Sequence, residues 1–472
     1  MIRKILVANR GEIAVRIVRA CSEMGIKSVA IYTDADRHAL HVKKADEAYN
    51  IGSDPVLGYL NAHNIVNLAV ASGCDALHPG YGFLSENPQL AEICARRGVK
   101  FIGPPAQVIR QMGDKIAARQ AMIKAGIPVV PGSDHNLESV EEAVALARKI
   151  GYPVMLKATN GGGGRGIRRC NSEEELRKNY DRVVSEATKA FGKPEVFLEK
   201  AVLNPRHIEV QVLGDNFGNV IHLFERDCSI QRRNQKLIEI APSPQLTELQ
   251  RNYIGKLAVQ AARAVGYVNA GTIEFLLDAD NQFYFMEMNT RLQVEHTVTE
   301  SITGVDIVQE QIRIASGLPL QYKQSDVTYR GYAMEFRINA EDPKNDFLPS
   351  YGRVTRYYAP GGPGVRTDAA IYTGYVIPPY YDSMCAKLTV WNLTWPGVIE
   401  RGRRALNDMV VYGVKTTIPY YQQILQNPDF RSGRFDTSFV EKHPELVDYQ
   451  VPRPKELLAA AIGAAIAAHE GL

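Results

Sequence analysis

Residues 271–296 read GTIEFLLDADNQFYFMEMNTRLQVEH. Two apolar runs, 272–277 and 283–288, flank the turn-rich segment Asp278-Ala279-Asp280-Asn281-Gln282. That is the pattern of a β-hairpin. Side chains alternate faces along a strand, so Glu274 shares a face with Thr272 and Leu276, and Glu287 with Phe283 and Phe285. A turn centred near Asp280 brings Glu274 within one residue of facing Glu287. Facing carboxylates repel unless something cationic lies between them. A hard cation such as magnesium, held by carboxylates and phosphate oxygens, resolves that repulsion.

The stretch continues Glu287-x-Asn289-x-Arg291-x-Gln293-x-Glu295, with Met288, Thr290, Leu292 and Val294 between the polar positions. A straight strand spreads these side chains over about 26 Å, too far for one small site. The chain is therefore expected to bend after the strand and bring Arg291, Gln293 and Glu295 back over the metal. The competing reading is a solvated strand edge laced with salt bridges.

Working outward, the 472 residues allow two to four domains. Hydrophobic content of 45%, charged content of 23% and a net charge of +3 are ordinary for a soluble globular protein. They give no case for nucleic acid or a membrane surface as partner. Cys21, Cys74, Cys94, Cys170, Cys228 and Cys385 are dispersed without a CxxC pair. This predicts reduced thiols and a cytoplasmic location, without a disulfide frame or zinc site. The start, MIRKILVANRGEIAV, reads as a first strand and helix, not a signal peptide, and no stretch approaches a membrane span.

Residues 1–113 alternate strand and helix in a doubly wound parallel-sheet pattern. Only Gly11 stands where a dinucleotide fold needs G-x-G-x-x-G, which argues against NAD. The loop HPGYGFLSEN (78–87) follows a strand end and either presents Tyr81 and Glu86 to a ligand or is a structural turn with a packing tyrosine. A helix is expected to open at Met112-Gly113-Asp114-Lys115 and run to Ala125. A strand ending in Lys157 then runs into Asn160-Gly161-Gly162-Gly163-Gly164-Arg165-Gly166. Such a flap lets backbone N–H groups approach phosphate, although a floppy hairpin tip has the same composition. Ile167-Arg168 after Gly166 excludes a Walker A loop. The run ERDCSIQRRNQK (225–236) is too basic for a core and is expected on a solvated or anion-facing surface. Residues 330–446 look like a third, β-rich unit, with Glu335 and Arg337 on one strand face. The segment 455–472 repeats Leu458, Ile462 and Ile466 amid alanine, reading as a frayed helix or a docking helix for another chain.

Strung together, ANRGEIAVR, HPGYGFLSEN, MGDK, KATNGGGGRG, ERDCSIQRRNQK, EMNTRLQVEH, FRINAED and YDSM resemble the biotin carboxylase family of the ATP-grasp superfamily, in particular the biotin carboxylase subunits of two-subunit pyruvate carboxylases. The likeness runs from Met1 to about Glu445. It implies an N-terminal domain at 1–113, an ATP-grasp domain at 114–320 with a mobile lid at about 131–203, a C-terminal domain at 330–446, and a linker and helical tail at 447–472.

By the same resemblance, ATP is held by Lys115, Lys157, Gly161, Gly162, Gly163, Gly164, Gly166, Glu199, Lys200, His207, Gln231 and Leu276, with Val414 against the base. Magnesium or manganese, one or two ions, sits between Glu274 and Glu287 with Asn289 nearby. Bicarbonate is gripped by Lys236, Arg291, Gln293 and the Val294 backbone, with Glu295 as general base. Arg337 steadies the biotin enolate oxygen, and Tyr81 and Asp382 lie near the biotin pocket. Asn234 departs from the histidine that many relatives carry beside the nucleotide.

No Met-Lys-Met acceptor site occurs, so biotin is expected on a partner chain, a carrier and carboxyltransferase subunit, with the tail as candidate contact. A homodimer through the first and third units is implied as well. The expected product path leads to pyruvate carboxylation, with acetyl-CoA or 2-oxoglutarate as other acceptors. The rival functions are another ATP-grasp ligase and a non-catalytic nucleotide-binding scaffold.

Overall fold

The computed structural model describes residues 2–159, 166–192, 194–450 and 455–470. Its N-terminal sheet is fully parallel, in the order Glu47–Asn50, Lys27–Tyr32, Lys4–Val7, Ala76–His78, Lys100–Phe101. The central strand is apolar from Ile5 to Val7 because helices cover both of its faces. At its carboxyl end Asn9 Nδ2 donates to the carbonyls of Pro79 and Tyr81, both at 2.7 Å. Gly80 has φ +62°, and a Cβ there would lie 2.9 Å from Asn9 Nδ2. The tight loop thus requires glycine at that point.

The helix expected to open at Met112 is two helices, Ala106–Gly113 and Lys115–Lys124. Asp114 breaks them apart and caps the second, its side chain accepting from the N–H groups of Ile116 and Ala117. A three-stranded sheet follows, with Val154–Ala158 between Ile167–Cys170 and Val196–Lys200. The helices Val140–Ile150 and Glu173–Phe191 pack on it around a separate core that includes Leu156, Leu176, Val183 and Leu198.

The largest element is an eight-stranded antiparallel sheet. Its order is Phe283–Asn289, Asn269–Leu277, Arg206–Gly214, Val220–Arg232, Gln235–Ala241, Tyr332–Asn339, Met384–Asn392, Val365–Ala369. The sequence pattern predicts a third, β-rich unit at 330–446. Its first strand joins the larger sheet: Gln235–Ala241 pairs with Tyr332–Asn339, Ile238 opposite Phe336, so one sheet runs through both regions. The turn before Gln235–Ala241 holds Arg233 at φ 50° and Asn234 at φ 65°, with Arg232 paired to Gln235. A two-residue hairpin with both central residues left-handed favours Asn, which gives Asn234 a backbone role.

The helix His296–Thr303, absent from the sequence reading, packs across this sheet. The six cysteines are free and buried. No helix among the described residues is long and apolar enough to cross a membrane. The expected tail helix spans Lys455–Glu470.

Candidate active site

The hairpin pairs Glu274 directly with Glu287, as the sequence predicts. On its other side Glu274 pairs with Glu209, and Glu209 pairs with Arg226. Four strands therefore line up Arg226, Glu209, Glu274 and Glu287 in one row. Adjacent carboxylates in such a row repel, and cations offset them. Lys236 Nζ reaches Glu209 at 2.6 Å, Glu274 at 3.1 Å and Glu295 at 2.6 Å. Arg226 Nε donates to Glu209 at 2.6 Å, and His207 Nε2 lies 2.9 Å from Glu274.

The electrostatics follow the row. Burial pushes the Glu209 carboxyl up, but Lys236 and Arg226 outweigh it and hold it at about 2. Glu274 is also buried, and Lys236 and His207 hold it far below the ordinary carboxylate range. At the end of the row the balance reverses: burial and the Glu274 charge raise Glu287, and Lys115 only partly opposes them. Two facing carboxylates, one of them under-compensated, form an oxygen donor set that fits a hard divalent cation, and Asn289 Nδ2 donates to Glu274 beside them at 2.8 Å.

The bend after Asn289 is present. The strand stops there, residues 290–295 turn back, and Glu295 occupies the cap position of the helix His296–Thr303. Arg291 Nε donates to Glu86 at 2.9 Å and its Nη2 to Asn289 at 2.8 Å. Gln293 Nε2 donates to Glu274 at 2.8 Å, while its side-chain carbonyl accepts from Arg226. The Val294 carbonyl accepts from Lys387 at 2.7 Å. Arg337 donates to Glu295 at 3.0 Å and to Glu239 at 2.6 Å.

The loop at 78–87 joins the same centre. Glu86 serves Arg291, and the Tyr81 hydroxyl donates to Glu12, which Lys387 Nζ approaches at 3.2 Å. Burial first, then the Glu12 charge and hydrogen bond, push the Tyr81 phenol up. Asp382 lines a small cavity with Arg10 and Tyr381.

The nucleotide candidates divide. Lys157 forms an ion pair with Glu199. Burial lowers the Lys115 ammonium, and Lys157 adds to that against the charges of Glu287 and Glu199. The Ala158 N–H donates to the Gly166 carbonyl at 2.9 Å, closing the base of the glycine-rich segment. Gly161, Gly162, Gly163 and Gly164 lie outside the described residues. Gln231 pairs with Lys236, Leu276 with His207, and Val414 packs on the C-terminal apolar core. The Lys200 ammonium donates to the Gly151 and Tyr152 carbonyls at 3.0 and 2.9 Å, so its side chain ties down the turn before Val154.

One correction concerns the basic run at 225–236. Arg226 is 0% exposed, because Glu209, Gln211, Thr272, Thr299 and Gln293 satisfy its guanidinium. Sequence reading missed Glu209, Arg226, Glu239 and Lys387. Two signals were available: His207-x-Glu209-x-Gln211 repeats the alternation seen at 287–295, and Lys387 is the one charge in the strand MCAKLTVWN.

Comparison with known proteins gives the family. Residues 1–109 match the family model "Biotin carboxylase, N-terminal domain", 114–323 "Carbamoyl-phosphate synthase L chain, ATP binding domain", and 335–442 "Biotin carboxylase C-terminal domain". The 2-oxoglutarate carboxylase small subunit of Hydrogenobacter thermophilus is 57% identical over 472 residues, covering 100% of both chains. A pyruvate carboxylase subunit of Methanothermobacter thermautotrophicus is 52% identical over 96% of this chain and 92% of its own length. The crystal structure of the Hydrogenobacter thermophilus 2-oxoglutarate carboxylase biotin carboxylase domain dimer, in complex with MgADP, ADP and bicarbonate, superposes with a TM-score of 0.93. It is 57% identical, over 96% of this chain and 100% of that one. A non-catalytic scaffold is thereby set aside: the chain is an enzyme and belongs to the biotin carboxylase family.

Proposed function

We propose that this chain uses ATP and bicarbonate to carboxylate biotin borne by a partner subunit, through carboxyphosphate. The observation that carries this reading is Lys236 bridging Glu209, Glu274 and Glu295 while Arg337 holds the other oxygen of Glu295. A base, an anion-binding cation and a second cation thus meet at one carboxylate.

Bicarbonate attacks the γ-phosphorus of ATP, ADP leaves, and Glu295 takes the bicarbonate proton. Lys236 and Arg291 offset the charge on the reacting oxygens. The longest Lys236 contact, 3.1 Å to Glu274, is the one bicarbonate would take over. Lys115 and Lys157 face the phosphates. Glu274 and Glu287, with Asn289 beside them, would hold a magnesium or manganese ion, which supplies neutralisation of phosphate charge. Carboxyphosphate then yields carbon dioxide and phosphate. The ureido nitrogen of biotin loses its proton to that phosphate and bonds to carbon dioxide, while Arg337 offsets the negative ureido oxygen.

The final acceptor is proposed to be a 2-oxo acid. The motifs resemble pyruvate carboxylase subunits, and the relative matched along its whole length belongs to a 2-oxoglutarate carboxylase. Purifying the chain with its natural partner and assaying carboxylation of pyruvate, 2-oxoglutarate and acetyl-CoA tests this. Exclusive use of acetyl-CoA would contradict it. A homodimer, as in the solved relative, is part of the same reading.

The tail helix is the proposed partner contact. It presents Ile462 and Ile466, 53% and 58% exposed and four residues apart on one face. Deleting residues 453–472 is expected to weaken partner association at least tenfold by pull-down or calorimetry, with ATP- and bicarbonate-dependent carboxylation of free biotin unchanged. Loss of that half-reaction would mean that the tail belongs to the fold.

A further inference from the structure

Behind Arg337 two carboxyl groups stand opposite each other. Glu239, in Gln235–Ala241, and Glu335, in Tyr332–Asn339, are register partners, and both are 0% exposed. Like charges directly opposite on neighbouring strands repel, and burial raises the cost. Each group has one satisfied oxygen. Glu239 Oε1 accepts from Arg337 Nε at 2.6 Å, and Glu335 Oε2 accepts from the Thr297 hydroxyl. The remaining oxygens, Glu239 Oε2 and Glu335 Oε1, are buried and have no hydrogen-bond partner among the described residues.

Among the described residues no second cation forms an ion pair with either carboxyl, although the Lys387 charge opposes the rise of Glu335. Arg337 serves Glu239 and Glu295, and Lys236 serves Glu209, Glu274 and Glu295. Lys387 is held by the Val294 carbonyl and Glu12. Glu295 adds negative charge beside Glu239, Cys228 is a buried thiol, and the Tyr421 hydroxyl donates to the Arg337 carbonyl at 2.6 Å.

We propose that Glu239 and Glu335 share one proton, carried on Glu335, and that this acid–carboxylate pair positions Arg337 for biotin. One O–H···O bond from Glu335 Oε1 to Glu239 Oε2 would satisfy both orphan oxygens and leave a single negative charge on the side that holds Arg337. Glu335 is the group that keeps the proton, because the Arg337 guanidinium pairs with Glu239 at 2.6 Å while Glu335 meets only the Thr297 hydroxyl. Burial pushes it well above the carboxylate range against Lys387, whereas Arg337 limits the rise of Glu239 to about 7. The positioning role rests on the function proposed above, but the shared proton does not.

Infrared difference spectroscopy of the whole chain at neutral pH reads the proton directly. The parent should show a neutral carboxylic acid band that Glu335→Gln removes. In kinetics, Glu335→Gln, whose amide can still donate to Glu239, should keep biotin-dependent kcat and KM within a few-fold. Glu239→Gln should lower biotin-dependent kcat roughly 10- to 100-fold, as losing an outer partner of a functional group does, with ATP cleavage in bicarbonate alone little changed. A band unaffected by Glu335→Gln, or a folded Glu335→Gln as impaired as Glu239→Gln, overturns the proposal. If Glu335→Gln does not fold, absence of a neutral acid band in the parent overturns it. A band lost in Glu335→Gln, in a chain indifferent to biotin, would uphold the proton and sink the proposed function.

Discussion

Glu295→Gln is expected to lower bicarbonate-dependent ATP turnover by roughly 10²- to 10⁴-fold, the range for losing a positioned general base. Nucleotide affinity should stay within a few-fold of the parent. Glu295 is 2% exposed, with Lys236 at 2.6 Å and Arg337 at 3.0 Å. Burial raises its carboxyl, Lys236 is the largest opposing influence, and Arg337 and Arg226 add to it, so the net shift is downward. The Glu295 carboxylate is therefore ionised throughout the neutral range, and if it is the base, its limb of the pH–rate profile should fall only below the ordinary carboxylate range. The amide has no basic oxygen to accept the proton, and its NH₂ faces two cations. Steady-state turnover with and without bicarbonate, beside equilibrium nucleotide binding, checks both halves. Undiminished turnover in Glu295→Gln would remove it from the reaction.

Arg226→Met should destabilise the folded chain by about 3–5 kcal/mol, the usual cost of leaving a buried charge uncompensated. Arg226 is fully buried and donates to Glu209 at 2.6 Å, Gln211 at 2.8 Å, and Thr272 and Thr299 at 3.0 Å. Its loss strips Glu209 of one of two cations and frees the Gln293 side-chain carbonyl that it fixes. Denaturant unfolding gives the loss, and adding Glu209→Gln should recover part of it because both changes act on one network. A loss under about 1 kcal/mol would mean water replaces the guanidinium there. The same row predicts acid sensitivity. Glu209 has its folded pKa depressed from 4.5 to about 2, so its contribution is present above about pH 4.5 and is lost as pH falls through the lower value.

The hairpin with its facing glutamates was legible because period-two alternation and a turn cluster fix both faces and approximate register. The bend was legible because five polar positions cannot serve one site from a straight strand. What stayed hidden depends on pairing between distant segments. Glu209 and Arg226 matter because their strands lie beside the hairpin in a particular register, which local pattern does not encode. Continuity of the sheet from Gln235–Ala241 to Tyr332–Asn339 spans some ninety intervening residues. The helix HTVTESIT is rich in β-branched residues with low helix propensity. Burial of Val298 and Ile302 beneath the sheet overrides that propensity.

ATP cleavage by the purified chain with magnesium and bicarbonate, measured with and without free biotin, tests the central claim most directly. The account predicts that biotin stimulates cleavage and that the gain disappears in Glu295→Gln. Folded chain that cleaves ATP at the same rate whether or not biotin is present would contradict it.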